Sequence, residues 1–161
     1  MKKFLAIVAA LFVAQSVFAQ NKMSFTDGNV TGEIPVDWMV LFAGPDSTCT
    51  FYILSPEKDN DDFREIITVS PEVLPKNQEY TVEQYLDAVT VNLKEAYPTL
   101  KTAKSGKDWF ICDFESEGTK IRMYARAFIK DGVAYLLFAQ ADSKDFKSVE
   151  KAFKEIIYSF N

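Results

Sequence analysis

A short acidic segment, residues 57–62, holds the densest cluster of potential metal ligands in the chain. Calcium prefers clustered carboxylate and amide oxygens, and Asp59, Asp61 and Asp62, with an asparagine between the first two, offer both kinds. The segment is not an EF-hand loop, because the positions that require glycine and glutamate, counted from Asp59, hold other residues. Two interpretations stay open: a calcium site of another kind, or a solvated loop whose acids cap and turn the chain.

Arg122, Tyr124 and Arg126 form a second candidate site. Alternate residues of a predicted strand project from the same face, so these three side chains point the same way. Two guanidinium groups beside a phenol would suit an anionic ligand. The sequence therefore offers a possible ligand-binding face on this strand.

The turn before this strand gives a structural alternative. If residues 117–118 are the two central turn residues, the numbers of opposed residues sum to 235. Asp113 then faces Arg122 in a pair of opposite charge, and Trp109 faces Arg126, where a cation–π contact can form. Glutamate is not favoured at positive φ, and a slip of one residue would undo every pairing.

Several classes of chemistry are excluded by residue types that are missing. The chain contains no histidine, which rules out Ser-His-Asp and Cys-His catalysis and imidazole ligands for zinc or iron. The two cysteines form no CxxC motif, and the six glycines stand singly rather than in a phosphate-binding loop. Hydrolysis by paired carboxylates stays open, although no spacing places two acids together. We therefore expect a protein that is not an enzyme and needs no cofactor.

The first 19 residues have the organisation of an export signal. Lys2 and Lys3 precede the apolar run 4–14, and small residues at 17–19 suit cleavage after Ala19. The apolar run has about half the length that a bilayer span needs. An uncleaved membrane anchor is the alternative, and a lipid anchor is disfavoured because the residue directly after the cleavage position is Gln20 and not a cysteine. We expect a periplasmic or secreted protein in which residues 20–161 form a single domain.

Cleavage would leave 16 basic and 23 acidic residues, a net charge of −7. This balance argues against nucleic acid or an anionic membrane as a partner, and no transmembrane segment would remain. Cys49 and Cys112 would enter an oxidising compartment, where a disulfide between them would contribute about 4 kcal/mol. Both lie in strand-like runs, so two buried free thiols are the alternative.

The periodicity of apolar residues predicts nine strands and two helices. The predicted helices are 81–97, where Thr81 and Gln84 form a capping box, and 143–160, where Ser143 is the N-cap. The predicted strands are 23–26, 29–34, 38–43, 49–54, 64–70, 99–103, 109–115, 120–129 and 133–139. Residues 71–80, which hold two prolines, form a connector. This order predicts an α+β fold, with an antiparallel β-sheet and helices packed on it.

Four motifs, in this order along the chain, resemble those of PsbP-like domains and the related DcrB-type bacterial proteins. They are residues 32–38 (GEIPVDW), 61–69 (DDFREIITV), 132–135 (GVAY) and 156–160 (IIYSF). The resemblance covers nearly the whole chain after the export segment. It implies an α/β/α sandwich around an antiparallel sheet, without catalytic residues, in a superfamily of accessory and binding proteins. The metal sites of the photosystem members use histidines, which this chain lacks, and the effector chaperones act in the cytoplasm.

These observations together predict an exported, non-catalytic binding or accessory protein of the bacterial cell envelope, with an unidentified protein or small molecule as its partner. The alternative is a carrier of a small ligand. That ligand would lie in a pocket between helix and sheet or on the face of Arg122, Tyr124 and Arg126.

Overall fold

The computed structural model describes residues 21–58, 63–76 and 79–161. The strands in these ranges are β1 (Lys22–Asp27), β2 (Val30–Pro35), β3 (Met39–Phe42), β4 (Phe51–Leu54), β5 (Ile66–Val73), β6 (Lys101–Ser105), β7 (Trp109–Ser116), β8 (Thr119–Lys130) and β9 (Val133–Asp142), and the helices are α1 (Val82–Ala96) and α2 (Phe146–Ser159). The predicted export segment and the predicted calcium ligands Asp59, Asp61 and Asp62 lie outside the described residues.

Seven strands form one antiparallel sheet in the order β3-β4-β5-β9-β8-β7-β6. β1 and β2 form a separate hairpin. β3 and β6 are therefore the two edges of the large sheet. The predicted fold class is confirmed, because an antiparallel sheet carries a helix on each face.

α1 covers one face of the sheet, where it packs against inward side chains of β7, β8 and β9. Its N-terminus has the predicted capping box: the Gln84 N–H donates to Thr81 Oγ1 at 3.2 Å, and the Thr81 N–H donates to Gln84 Oε1 at 3.0 Å. Tyr85 and Leu86 are the buried residues of this helix. The apolar stripe predicted from the sequence thus faces the sheet.

α2 and the β1–β2 hairpin cover the other face. Phe153 and Phe160 are fully buried there, and the backbones of Thr31 and Asn161 exchange two hydrogen bonds that join the hairpin to the C-terminal end of α2. A Cβ on Gly32 would lie 2.6 Å from the Phe160 ring, so the close approach of β2 to this ring requires glycine. In the described part of the chain, no helix is long and apolar enough to cross a membrane.

β7 and β8 pair in the predicted register. Opposed residue numbers sum to 235 along the whole ladder, from Trp109 and Arg126 to Ser116 and Thr119. The turn has φ 51 at Glu117 and φ 81 at the following glycine, which is the left-handed pair of a tight hairpin turn. The apolar face of the hairpin fixes this register although glutamate is unfavourable at that turn position.

The largest differences between predicted and observed boundaries lie at the ends of β5 and β9 and at the start of α2. β5 continues through Pro71, a residue that the sequence pattern placed in a connector. Proline is tolerated there because β4 does not extend past Val69. The side of β5 on which Pro71 lacks an N–H is therefore open, and no hydrogen bond of the ladder is lost. α2 begins at Phe146 instead of following Ser143, because β9 extends to Asp142 and the Ser143 N–H donates to the Lys120 carbonyl at 2.8 Å.

Candidate interaction surface

The edge strand β3 presents backbone groups that point away from the sheet. The Ala43 N–H donates to the Thr50 carbonyl at 2.9 Å. Because the direction of the backbone groups alternates along a strand, the N–H and C=O of Leu41 also face β4, and those of Val40 and Phe42 face the open side. No described residue hydrogen-bonds to these four groups. Such a row of unpaired donors and acceptors is a template for another strand.

The side chains around this edge are unusually exposed for their type. Four of the eight exposed large hydrophobic side chains in the described ranges lie between positions 36 and 42: Val36 at 57%, Met39 at 47%, Leu41 at 44% and Phe42 at 67%. These four side chains and the outward backbone of Val40 and Phe42 are called the β3 edge surface below. Together these side chains expose on the order of 400 Å² of apolar surface, divided between the two faces of the sheet.

The β3 edge surface extends over both faces of the sheet. Phe42 lies opposite Phe51 and shares its face, where its ring centroid is 6.1 Å from that of Phe25 in the hairpin. Met39 and Leu41 project from the other face, which α1 covers only over the distant strands β7, β8 and β9. An added strand would therefore meet apolar groups above and below the sheet.

The opposite edge of the same sheet is built differently. β6 contains Lys101 and Lys104, and its pairing with β7 shifts between Thr102 and Lys104. Lysines and bulges are devices by which proteins prevent an edge from pairing with another chain. β3 has no charged residue, no proline and no shift in its register. Of the two edges, only β3 lacks these protections within the described structure.

The predicted ligand face of Arg122, Tyr124 and Arg126 lies beneath α2. Tyr124 is 2% exposed, and its hydroxyl is 3.0 Å from the Tyr158 hydroxyl. Arg122 donates to both carboxylate oxygens of Asp113, at 2.6 and 2.8 Å, and this hydrogen bonding raises the pKa of Arg122. The structure brings the three residues together on one face, as predicted. Tyr124 and most of Arg126 are covered, whereas the Arg122 side chain is 40% exposed.

Arg126 is held by contacts with the C-terminal end of α2. Its Nη1 donates to the carbonyls of Ile157 at 2.7 Å and Phe160 at 3.1 Å, so it caps the C-terminal end of α2. Its guanidinium lies 4.5 Å from the Tyr158 ring centroid. The predicted cation–π contact with Trp109 was wrong, because Trp109 stacks on Tyr124 instead, with centroids 5.4 Å apart. These contacts hold the fold together. Arg122 also lines an open groove of about 300 Å³, and a ligand site on this face stays a prediction.

The two cysteines are free thiols. Cys49 precedes β4 and Cys112 lies in β7, and four strand spacings separate those strands, about 19 Å. A disulfide requires Cα atoms within about 7 Å, so the disulfide alternative was wrong. Burial, with a smaller contribution from the Asp113 carboxylate, raises the pKa of Cys112 to about 12.

A buried carboxylate that the sequence analysis did not single out lies beside the predicted calcium segment. Glu65 is 1% exposed and accepts hydrogen bonds from Ser55 Oγ at 2.5 Å and from Lys58 Nζ. Burial by itself would raise the pKa of Glu65, but these hydrogen bonds outweigh it and leave the pKa lowered. Arg64 Nε also donates to the Ser55 carbonyl at 2.6 Å. These contacts anchor both ends of the acidic segment.

Within the described ranges, no three acidic or cysteine side chains are grouped as a metal site. The calcium site of Asp59, Asp61 and Asp62 stays a prediction. An open groove of about 510 Å³ lies beside the connector that precedes α1, lined by Val73 and Ile129 among others, and no residue of either helix lines it.

No family model matches the sequence, and no curated protein sequence matches it. Solved structures are similar over most of the chain. Cyanobacterial PsbP (CyanoP) from Synechocystis sp. PCC 6803 has a TM-score of 0.61 at 10% identity, covering 90% of this chain and 94% of that one. The Ran-binding protein Mog1p of Saccharomyces cerevisiae has a TM-score of 0.60 at 11% identity, covering 89% and 96%.

LpqN of Mycobacterium tuberculosis, which is involved in cell envelope biogenesis, has a TM-score of 0.56 at 13% identity, covering 88% of this chain and 90% of that one. Identities this low establish the fold alone. The chain has the PsbP-like fold, as the resemblance of its motifs implied.

Proposed function

We propose that this chain is an exported, non-catalytic binding protein of the bacterial cell envelope, and that it binds another polypeptide through the β3 edge surface. The observation that carries the proposal is a sheet edge without lysine, proline or bulge. Unpaired backbone groups of Val40 and Phe42 lie between exposed apolar side chains on a strand without charge. Addition of a strand to such an edge is a common way for a domain to bind a polypeptide.

Structurally similar proteins support a binding role and an envelope location. Mog1p is a Ran-binding protein, and LpqN is involved in cell envelope biogenesis. A shared fold does not transfer a partner, so the surface of this chain has to define it. The export signal at residues 1–19 supports the location, and N-terminal sequencing of the natural protein tests it. We expect Gln20 as the first residue, and a protein beginning at Met1 would contradict export.

The proposal that the chain is not an enzyme rests on its titratable groups. It has no histidine, and its buried carboxylate Glu65 is held by Ser55 and Lys58 with a lowered pKa. A general acid needs the opposite shift, towards neutral pH.

Capture from an envelope extract of the natural host tests the binding function. The bait proteins are residues 20–161 in three forms: the natural sequence, Phe42→Lys, and Val91→Lys as a control at an exposed apolar position on α1. Native mass spectrometry of the captured material should show one stoichiometric protein bound to the natural sequence and to Val91→Lys but lost from Phe42→Lys. A small molecule retained equally by all three forms, without a protein, would overturn the proposal in favour of a carrier.

A further inference from the structure

The β3 edge surface also constrains the chemistry of its occupant. Resting on the proposed function, we infer that the occupant is an extended segment of another protein, with three consecutive apolar residues and lysine or arginine on both sides of them. The segment pairs with β3 in the antiparallel direction, as every pair of neighbouring strands in this sheet does. Backbone geometry, side-chain exposure and charge each contribute one part of this inference.

The backbone sets the length and the alignment. Val40 and Phe42 each offer one N–H and one C=O to the open side, so an antiparallel strand makes four hydrogen bonds through two residues that are two positions apart. The residue between those two lies opposite Leu41 in a pair without hydrogen bonds. Three consecutive residues of the occupant therefore contact β3 directly.

The exposed side chains set the character of those three residues. The two that pair with Val40 and Phe42 share the face of the hairpin, where the rings of Phe25 and Phe42 lie together. The middle one shares the opposite face with Met39 and Leu41, which are also exposed. Both faces are apolar, so the occupant needs apolar residues at all three positions rather than the alternation of an ordinary surface strand.

The charges set the flanks of the segment. Residues 34–56, which include β3 and β4, hold two acidic residues and no basic residue. The two acids are Asp37 and Asp46, both exposed, one on each side of β3. Basic residues at the ends of the occupant would meet these carboxylates and speed its association with an acidic protein.

The same charges disfavour a second copy of this chain as the occupant. Residues 34–56 of a second copy would bring another Asp37 and Asp46 to the interface and no basic residue of that segment to meet them. Two copies of the exported chain would also each carry a net charge of −7. Like charges placed across an interface weaken it, so self-association is treated as a competing outcome of the test.

Fluorescence anisotropy with two labelled synthetic heptapeptides tests the inference on residues 20–161. One peptide has a central Val-Ile-Val with two lysines on each side, and the other has two aspartates on each side. We expect the lysine peptide to bind at least about tenfold more tightly. Asp37→Asn combined with Asp46→Asn should remove most of this preference while leaving the fold intact.

Val40→Pro tests the backbone component. It removes an N–H that faces the open side and leaves the bonds to β4 in place, so we expect the protein to stay folded and to lose at least about tenfold in affinity for the lysine peptide. Phe42→Lys should also lose affinity for the lysine peptide. This variant provides a second test of the β3 edge surface if Val40→Pro unfolds the protein. Val91→Lys should bind like the natural sequence.

Equal affinity for the two peptides, or an unchanged affinity in both Val40→Pro and Phe42→Lys, would overturn the inference. A dimer in analytical ultracentrifugation that Phe42→Lys dissociates would also overturn it, because the occupant would then be a second copy. If the peptides bind equally but Phe42→Lys still loses the protein captured from the host, the proposed function stands and only the chemistry of the occupant is wrong. If that capture is also unaffected, both are wrong.

Discussion

Phe42 and Phe51 lie directly opposite each other on β3 and β4, yet Phe42 is 67% exposed and Phe51 is 1% exposed. The rings of Phe25 and Phe160 cover Phe51, with centroids 4.7 and 6.0 Å away, whereas Phe42 lies one strand further out. Full burial of a phenylalanine side chain contributes about 1.5–3 kcal/mol. Most of that contribution is still available at Phe42 to a strand that covers it.

The contact between Gly32 and Phe160 predicts a large effect of one methyl group. Gly32→Ala places a Cβ 2.6 Å from a fully buried ring, so we expect a loss of about 1–3 kcal/mol in the free energy of unfolding, measured by urea denaturation. Gly44→Ala is the matched control, because a Cβ there meets nothing within 4 Å. Equal stability of the two variants would show that β2 does not approach α2 this closely.

The burial of Cys112 predicts unequal reactivity of the two thiols. With its pKa raised to about 12, Cys112 is almost entirely protonated at pH 8, and its side chain is fully buried. A thiol reagent should modify one cysteine per folded chain and two in denaturant. Cys49→Ser should reduce the count for the folded protein to zero. If the reagent modified neither cysteine in denaturant without a reductant, the two cysteines would be joined by a disulfide. That result would contradict the structure.

The register of β7 and β8 predicts coupling between Asp113 and Arg122. Their bidentate pair is more than a third exposed, so screening by solvent limits the coupling energy to about 0.5–1 kcal/mol. A double-mutant cycle with alanine at both positions, measured by denaturation at low salt, should give this value. Strict additivity of the two single changes would contradict the pairing.

The lowered pKa of Glu65 predicts a stability that depends on pH. Because the pKa in the folded state lies below the ordinary value of 4.5, ionised Glu65 stabilises the fold above that value, and the contribution disappears as the pH falls through the folded-state pKa. Glu65→Gln should therefore destabilise the protein by about 1–3 kcal/mol at pH 7 and by clearly less near pH 3. An equal loss at both pH values would show that the charge of Glu65 makes no contribution.

The sequence was most informative where neighbouring elements pair. The register of β7 and β8, in which opposed residue numbers sum to 235, depends on residues that are close in the chain. The same is true of the capping box of Thr81 and Gln84, so local patterns predict both features. The position of β3 at the edge depends on β5 pairing with β9, which joins Ile66 to Gln140 across most of the domain. No local periodicity encodes that pairing, so the sequence predicted the strand but not its position at the edge of the sheet.

For a related reason, the sequence could not show how much of the predicted ligand face is exposed. The pattern placed Arg122, Tyr124 and Arg126 on one face but could not show that α2 covers Tyr124 and most of Arg126, since that depends on how a distant helix packs. Glu65 was missed because one acid at the start of a strand does not reveal its burial. One usable signal was present: the uncharged run Met39–Phe42 differs from the lysine-containing strand Lys101–Ser105, and such a contrast between edges indicates which one is open.

Amide hydrogen exchange of β3, followed residue by residue by NMR, tests the account most directly. In the isolated protein, the N–H groups of Leu41 and Ala43 bond to β4 and those of Val40 and Phe42 do not, so we predict exchange at least about 100-fold faster at Val40 and Phe42. Addition of the lysine peptide should slow these two amides selectively. Equal protection of all four amides in the free protein would contradict the account, because β3 would then not be an open edge.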